Sequence, residues 1–222
     1  MTTQMLNEEE RMLQRLVSDF ADRELAPRAQ GVDEKEEFSW ENWEGLGQLG
    51  LTGIGIDSKY GGSGGGYRQT VIAASETARG DVSASTTLIA HLSLGTSTIY
   101  RFGNEEQKLR LVPPLASGKG VAAWALTEPD GGSDAAALQT TATEKDGTYF
   151  LNGSKIFITN AEVAESIVVF ATLDRSKGHK GISAFVVPKG SPGLQVNPQK
   201  GKMGIRGSGT NEVLFQNTLS VL

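Results

Sequence analysis

The spacing of apolar positions changes near residue 119, from a helical to an extended period. Before that point Leu13, Leu16, Val17 and Phe20 recur three and four residues apart, which lays one apolar stripe along a helix. Asn7 stands ahead of Glu8, Glu9 and Glu10, a capping side chain followed by acids at the positive end of the helix dipole. Pro27 marks the end region of this helix. Ser39 is placed to cap a short helix through Trp40, Trp43 and Leu46, stopped by Gly47 or Gly50. Tyr67 to Arg79 reads as a helix closed by Gly80, and Ser83 to Phe102 as another, with Leu88, Leu92 and Ile99 on one side. Asn104 with Gln107 three residues later opens a further helix that runs to about Ala116.

After residue 119 the runs shorten and read as strands. Val121 to Leu126, Ile167 to Thr172, Ile182 to Val187, Leu194 to Val196 and Val213 to Phe215 are apolar stretches. Tyr149-Phe150-Leu151 and Lys155 to Thr159 flank Asn152-Gly153, a pair that favours a two-residue hairpin turn. Gly and Pro turns separate these runs at intervals of roughly ten to fifteen residues, the spacing of an antiparallel barrel or sandwich. The fold expected is α+β and multidomain: an all-α N-terminal helical domain over 1–118, then an antiparallel β-barrel or sandwich domain over 119–222, joined around Ser117 to Gly120.

Composition narrows the chemistry. With 21 Lys and Arg against 26 Asp and Glu the formal charge is -5, which argues against nucleic acid as the main ligand. The absence of cysteine excludes disulfides, thiolate metal sites and cysteine nucleophiles, and fits a reducing compartment. Met1 to Glu10 is acidic and lacks an apolar core, so no secretory signal is expected there. No apolar run reaches the roughly eighteen residues that a membrane span needs.

Several motifs fall away on context. Gly61-Gly62-Ser63-Gly64-Gly65 matches G-x-S-x-G, but a nucleophile elbow needs a strand before the serine and a helix after it; a flexible loop ahead of the Tyr67 helix is the better reading. No Walker pattern occurs, and the β half lacks the βαβ alternation of a dinucleotide fold. His91 and His179 have no metal-ligand spacing, and His91 on an apolar helix reads as a hydrogen-bonded core histidine.

Two segments remain. In Trp124-Ala125-Leu126-Thr127-Glu128-Pro129-Asp130-Gly131-Gly132-Ser133-Asp134 an apolar strand ends at a threonine and breaks into a loop that exposes backbone N–H groups around a small hydroxyl. Those are the ingredients of a phosphate cradle. Phe157-Ile158-Thr159-Asn160 puts an aromatic and a hydroxyl on one strand face, the pair a planar heteroaromatic cofactor uses. The same residues also suit a plain strand end and a core phenylalanine, and spacing alone leaves both readings open.

These segments resemble signatures of the acyl-CoA dehydrogenases: A-L-T-E-P-x-x-G-S-D at Trp124 to Asp134, and L-N-G-x-K-x-[WF]-I-T-N at Leu151 to Asn160. Tyr60-Gly61-Gly62, Glu76 with Arg79-Gly80-Asp81, Phe102 to Lys108, Pro113 to Gly118, Gly178 to Phe185 and Lys202 to Arg206 with Thr210 match in order along essentially the whole chain.

The resemblance implies FAD as cofactor and acyl-CoA as substrate, oxidised to the trans-2-enoyl-CoA. It implies that Trp124, Leu126, Thr127, Gly132, Ser133, Phe157, Ile158 and Thr159 bind the flavin, with Phe157 stacked on the ring where many relatives have Trp. It implies that Ser133, His179 and Lys180 contact the acyl-CoA and that Leu92 belongs to the floor of the acyl pocket. It further implies an electron-transfer flavoprotein as acceptor, a homotetramer in the full-length form, and a cytoplasmic or mitochondrial-matrix location. In relatives a helical bundle follows the β domain and supplies the catalytic Glu; both positions known for that base fall beyond Leu222. The chain is therefore expected to read as a truncated form that binds FAD weakly and turns over negligibly. A flavin monooxygenase or nitroalkane oxidase on the same fold, and a non-catalytic binding module, are the alternatives.

Overall fold

A computed structural model describes residues 6–220. Contacts divide the chain into two compact units, one of Met1–Gly120 with Lys200–Ser208, the other of Val121–Gln199 with Gly209–Leu222.

The first unit is helical. Helix α1 (Glu8–Phe20) begins with a complete capping box: the Asn7 side chain accepts from the Glu10 N–H, and the Glu10 carboxylate accepts from the Asn7 N–H. The helical path does not end at Pro27. A π-helical turn (Ala21–Leu25) leads into α2 (Ala26–Lys35), and Pro27 occupies the first turn of α2, where proline is tolerated. Helix α3 (Trp40–Gln48) is capped by the Ser39 hydroxyl and α4 (Tyr67–Gly80) follows the glycine run. Asp81 caps α5 (Val82–Ile89), which passes through a second π segment (Ala90–Thr96) into α6 (Ser97–Phe102). Helix α7 (Glu105–Ala116) carries the capping box of Asn104 and Gln107. His91 is fully buried, its Nε2 lying 3.2 Å from the Thr52 carbonyl oxygen and its ring edge-on to Trp43. Burial holds its pKa down at about 4, so it is a neutral core histidine at pH 7.

The glycine run is not a loose loop. The Gly55 N–H donates to the Gly64 carbonyl at 2.7 Å, the Gly64 N–H to Ile56 at 2.9 Å and the Ser63 N–H to Gly53 at 3.0 Å, so residues 53–56 and 62–64 clasp each other. A Cβ on Gly62 would stand 2.1 Å from the Ile56 carbonyl oxygen, which only glycine avoids. Residues 200–208, within the span read from sequence as the β half, belong to this helical unit. The Arg206 backbone N–H donates to Asp33 at 3.0 Å, and its guanidinium grips the same carboxylate at 2.8 and 2.6 Å.

Among the described residues the second unit is a curled mixed sheet of seven strands: β1 (Val121–Ala125), β2 (Thr141–Lys145), β3 (Thr148–Thr159), β4 (Ala164–Thr172), β5 (Ile182–Pro188), β6 (Leu194–Pro198) and β7 (Thr210–Ser220). The order is β1-β4-β2-β3-β7-β6, with β5 on β4. Pairing is antiparallel except where β4 meets β1 over five residues and β2 at one position, both parallel. Ala123, Ala125, Leu151, Val169, Phe185, Val187, Val213 and Phe215 fill its core.

The hairpin turn lies elsewhere than the Asn152-Gly153 signal suggests. Strands β2 and β3 are joined at Asp146-Gly147, both with positive φ, and β3 runs unbroken through Asn152-Gly153. Gly153 is required because a Cβ there would meet Thr140 Oγ1 at 2.5 Å, at a φ of 148°. The Asn152 side chain bonds Asn217 at a bulge in β7. No helix among the described residues is long and apolar enough to cross a membrane.

Candidate functional site

Two chain segments meet at one rim of the sheet. The Ile156 N–H donates to the Thr127 carbonyl at 2.9 Å, so the end of β1 lies along the second half of β3. Beneath this contact Lys155 is wholly buried. Its ammonium donates to the Leu126 carbonyl at 2.9 Å and to Glu128 Oε1 at 2.8 Å. Glu128 Oε1 also accepts from the Thr140 N–H at 2.9 Å, and Oε2 from the Gln139 N–H. Burial alone would raise the Glu128 pKa, but Lys155 and the two backbone donors outweigh it and hold the carboxyl below its ordinary value. Burial pushes Lys155 down. Glu128 is thus an ionised structural anchor. It clamps residues 126–128, 139–140 and 155 to one point.

A bulge in β3 then turns Phe157 outward. Lys155 pairs with Val213 and Ile158 with Asn211, so β3 advances three residues while β7 advances two. Phe157 takes up the extra residue with φ of 59°, a strained conformation for a bulky side chain, and the residue is 62% exposed. Ile158 returns to the core, so only its backbone can face a ligand, and its carbonyl accepts from Asn211 Nδ2 at 2.9 Å. Thr159 is half-buried opposite Thr210. The next residue, Asn160, has φ of 69° and donates from Nδ2 to the Ala122 carbonyl at 3.3 Å, tying the end of β3 to β1.

The loop after β1 begins with a tight turn in which the Glu128 and Gly131 N–H groups donate to each other's carbonyls at 2.8 and 3.2 Å. This turn brings Gly132 back over Thr127, where a Cβ on Gly132 would lie 3.6 Å from the Thr127 methyl. Gly132 and Ser133 are exposed. Trp124 is half-buried, edge-on to Phe170 with ring centroids 5.0 Å apart.

The structure therefore gathers Leu126, Thr127, Gly132 and Phe157 at one rim, with Thr159 two residues further along β3. His179 and Lys180 lie exposed on the 3-10 turn Arg175–Gly181, which packs beside the turn Ala135–Ala137 that follows Ser133. The Arg175 guanidinium donates to the Gln139 carbonyl at 2.6 Å and fixes that neighbourhood. Leu92 belongs to the helical unit and is buried against a cavity there. Sequence reasoning did not find Lys155, whose position between an apolar strand and a signature glycine gave no sign of burial.

The rim thus joins an exposed aromatic at a strained bulge to a strand end locked by a buried ion pair. Comparison with known proteins identifies the family. The model of the acyl-CoA dehydrogenase N-terminal domain matches residues 7–119, and that of the acyl-CoA dehydrogenase middle domain matches 123–218. The chain belongs to the acyl-CoA dehydrogenase family. It is 43% identical over 212 residues to an acyl-CoA dehydrogenase of Bacillus subtilis (strain 168), covering 96% of this chain and 56% of that one. Among solved structures it resembles butyryl-CoA dehydrogenase from Megasphaera elsdenii at 40% identity and a TM-score of 0.92, covering 97% of this chain and 57% of that one. A glutaryl-CoA dehydrogenase from Mycobacterium smegmatis in complex with FADH2 matches at 32% identity and a TM-score of 0.92, covering 99% and 55%. The chain thus spans little more than half the length of these acyl-CoA dehydrogenases.

Proposed function

We propose that this chain supplies the flavin-gripping part of an FAD-dependent acyl-CoA dehydrogenase, which oxidises acyl-CoA thioesters to trans-2-enoyl-CoA. The observation that carries the reading is the outward Phe157 beside the clamped Leu126–Thr127 edge. The residues present fit the group: an exposed aromatic face to stack on, a threonine at each strand end, and an exposed Gly-Ser loop for phosphates. When bound, FAD supplies the acceptor for the hydride that leaves the substrate β-carbon.

The chain's own residues do the holding. Phe157 offers its ring to the isoalloxazine, and Leu126, Thr127 and Thr159 offer backbone and hydroxyl groups to its polar edge, with Trp124 and Ile158 supporting these strand ends. Gly132 and Ser133 are assigned to the pyrophosphate. Ser133, His179 and Lys180 are assigned to the acyl-CoA and Leu92 to the region of its acyl chain. Lys155 and Glu128 keep the edge rigid, because positioning within a fraction of an ångström decides the rate of such transfers.

Proton removal from the substrate α-carbon needs a free carboxylate. Glu128 is unsuited, since both its oxygens already accept hydrogen bonds. An electron-transfer flavoprotein as electron acceptor, a homotetrameric full-length form and a cytoplasmic or mitochondrial-matrix location complete the proposal.

Titration of the chain with FAD, followed by flavin absorbance, tests it. We expect weak saturable binding that Phe157→Ala weakens by roughly tenfold, and no bleaching on addition of butyryl-CoA. Equal affinity of the parent chain and the variant would sink the flavin assignment, while rapid bleaching would show that a base is present after all.

A further inference from the structure

A bulge interrupts the ladder that orients a strand, so the backbone just beyond it needs another tie. In β3 the bulge lies at Phe157, and Ile158 and Thr159 follow it directly, opposite Asn211 and Thr210 of β7. Phe157 before this pair and Asn160 after it both have positive φ, so the two residues form a short extended piece between two turns of the backbone. The Asn160 N–H donates to the Gly209 carbonyl at 3.2 Å and holds the far end. The near end is held by a side chain. Asn211 is fully buried, and its Nδ2 donates to the Ile158 carbonyl at 2.9 Å.

Folding alone does not account for this amide. Asn211 Oδ1 accepts from no group among the described residues. A buried amide that makes one hydrogen bond and leaves its oxygen unpaired costs the fold about what that bond contributes. Leucine has nearly the same shape and carries neither polar atom. What the amide does instead is local. In a planar trans peptide the carbonyl and the next N–H point in opposite directions. With the Ile158 carbonyl turned onto Asn211 of β7, the Thr159 N–H is turned away from β7, and the half-buried threonine is set in one orientation at the strand end.

We propose that Asn211 is a positioning residue of the flavin rim: by fixing the Ile158–Thr159 peptide it sets where the Thr159 hydroxyl and N–H meet the isoalloxazine. This assignment rests on the proposed flavin site. Lys155 and Glu128 lock the rim from the side of β1, and Asn211 locks it from the side of β7. Buried as it is, Asn211 acts only through Thr159.

FAD titrations followed by flavin absorbance, with urea denaturation of each variant, test it. Asn211→Leu removes the donor at nearly constant volume. It is expected to weaken FAD by roughly tenfold while the urea midpoint stays level or rises. Asn211→Ala removes the same donor without added bulk and is expected to give the same loss of affinity. Thr159→Val also weakens FAD, and combined with Asn211→Leu it is expected to weaken it by less than the product of the two single effects, because both act at one threonine. Four results would each overturn the proposal and leave the flavin reading intact: parent-like affinity in Asn211→Leu, a midpoint in Asn211→Leu that falls in step with affinity, fully multiplicative effects in the double variant, or loss of the fold in both Asn211 variants. Failure of Phe157→Ala to weaken FAD would instead remove the flavin reading, and this proposal with it.

Discussion

Glu10 in the helical unit and Glu128 in the β unit are both nearly closed to solvent, with side-chain exposures of 3% and 4%, yet their partners are not alike. Arg68 meets Glu10 with a two-pronged fork at 2.5 and 2.8 Å while 49% of its own side chain stays in water. Lys155 meets Glu128 with none of its side chain exposed. The first pair finishes a helix start, since Glu10 also holds the Asn7 N–H, and water can take over much of what Arg68 does. The second has no access to water, so the two charges compensate each other's lost hydration together with the Leu126 carbonyl and the Gln139 and Thr140 N–H groups. Burial of both members converts an ion pair from a trim on a helix end into the point on which three chain segments converge.

The largest effect is expected from removing one half of the inner pair. Lys155→Met leaves a buried carboxylate and should cost about 3–5 kcal/mol of stability, read by urea denaturation. A loss no greater than that of Arg68→Ala would erase the contrast between the two pairs. Combining Lys155→Met with Glu128→Leu should recover part of that loss, because the uncompensated charge is gone. The Gln139 and Thr140 N–H groups then lack an acceptor, which leaves a deficit of about 1–3 kcal/mol per unpaired group. A double-mutant cycle measures the coupling directly.

Next in size is a change that separates holding from folding. Phe157→Gly relieves a positive φ and removes an exposed ring, so the melting temperature should stay level or rise while FAD affinity falls by roughly tenfold. A clear drop in melting temperature would mean that the ring stabilises the fold rather than serves a ligand.

The smallest effect belongs to the outer pair and is a matter of pH. The Arg68 fork, with the Asn7 N–H, holds the Glu10 pKa at about 2 against an ordinary 4.5. A lowered carboxyl pKa stabilises the native state above the unfolded value and loses that contribution as pH falls through the folded one. The stability difference between the parent chain and Glu10→Gln should therefore be constant above pH 4.5 and shrink toward pH 2, and salt should reduce it. A difference that persists unchanged at pH 2 would assign it to packing.

Much of the scaffold was legible residue by residue. Asn7 with Glu10 and Asn104 with Gln107 form the capping boxes their spacing announces, and Ser39 caps as expected. Each of these interactions closes within three residues. Pro27 misled because a proline after a π turn looks, in sequence, like a proline after a helix end. Asn152-Gly153 misled for a similar reason: its glycine answers a close approach by Thr140, not a turn. Strand β2 went unread, since Thr141 to Lys145 is polar on one side and too short to show a period. At the site, the aromatic and the two threonines were visible as types, but the bulge that turns Phe157 out and sends Ile158 inward was not.

The sequence by itself determined the helical and β regimes, the helix starts, the family and the residue types of the proposed flavin rim, because capping, periodicity and signature spacing act over a few neighbours. Only the tertiary structure decided that Lys155 lies buried against Glu128, that β3 bulges at Phe157, and that residues 200–208 join the helical unit through Arg206 and Asp33. Those outcomes depend on partners 27 to 173 residues apart. Whether a charge is buried, or a strand gains a residue against its neighbour, depends on what the distant chain places opposite it.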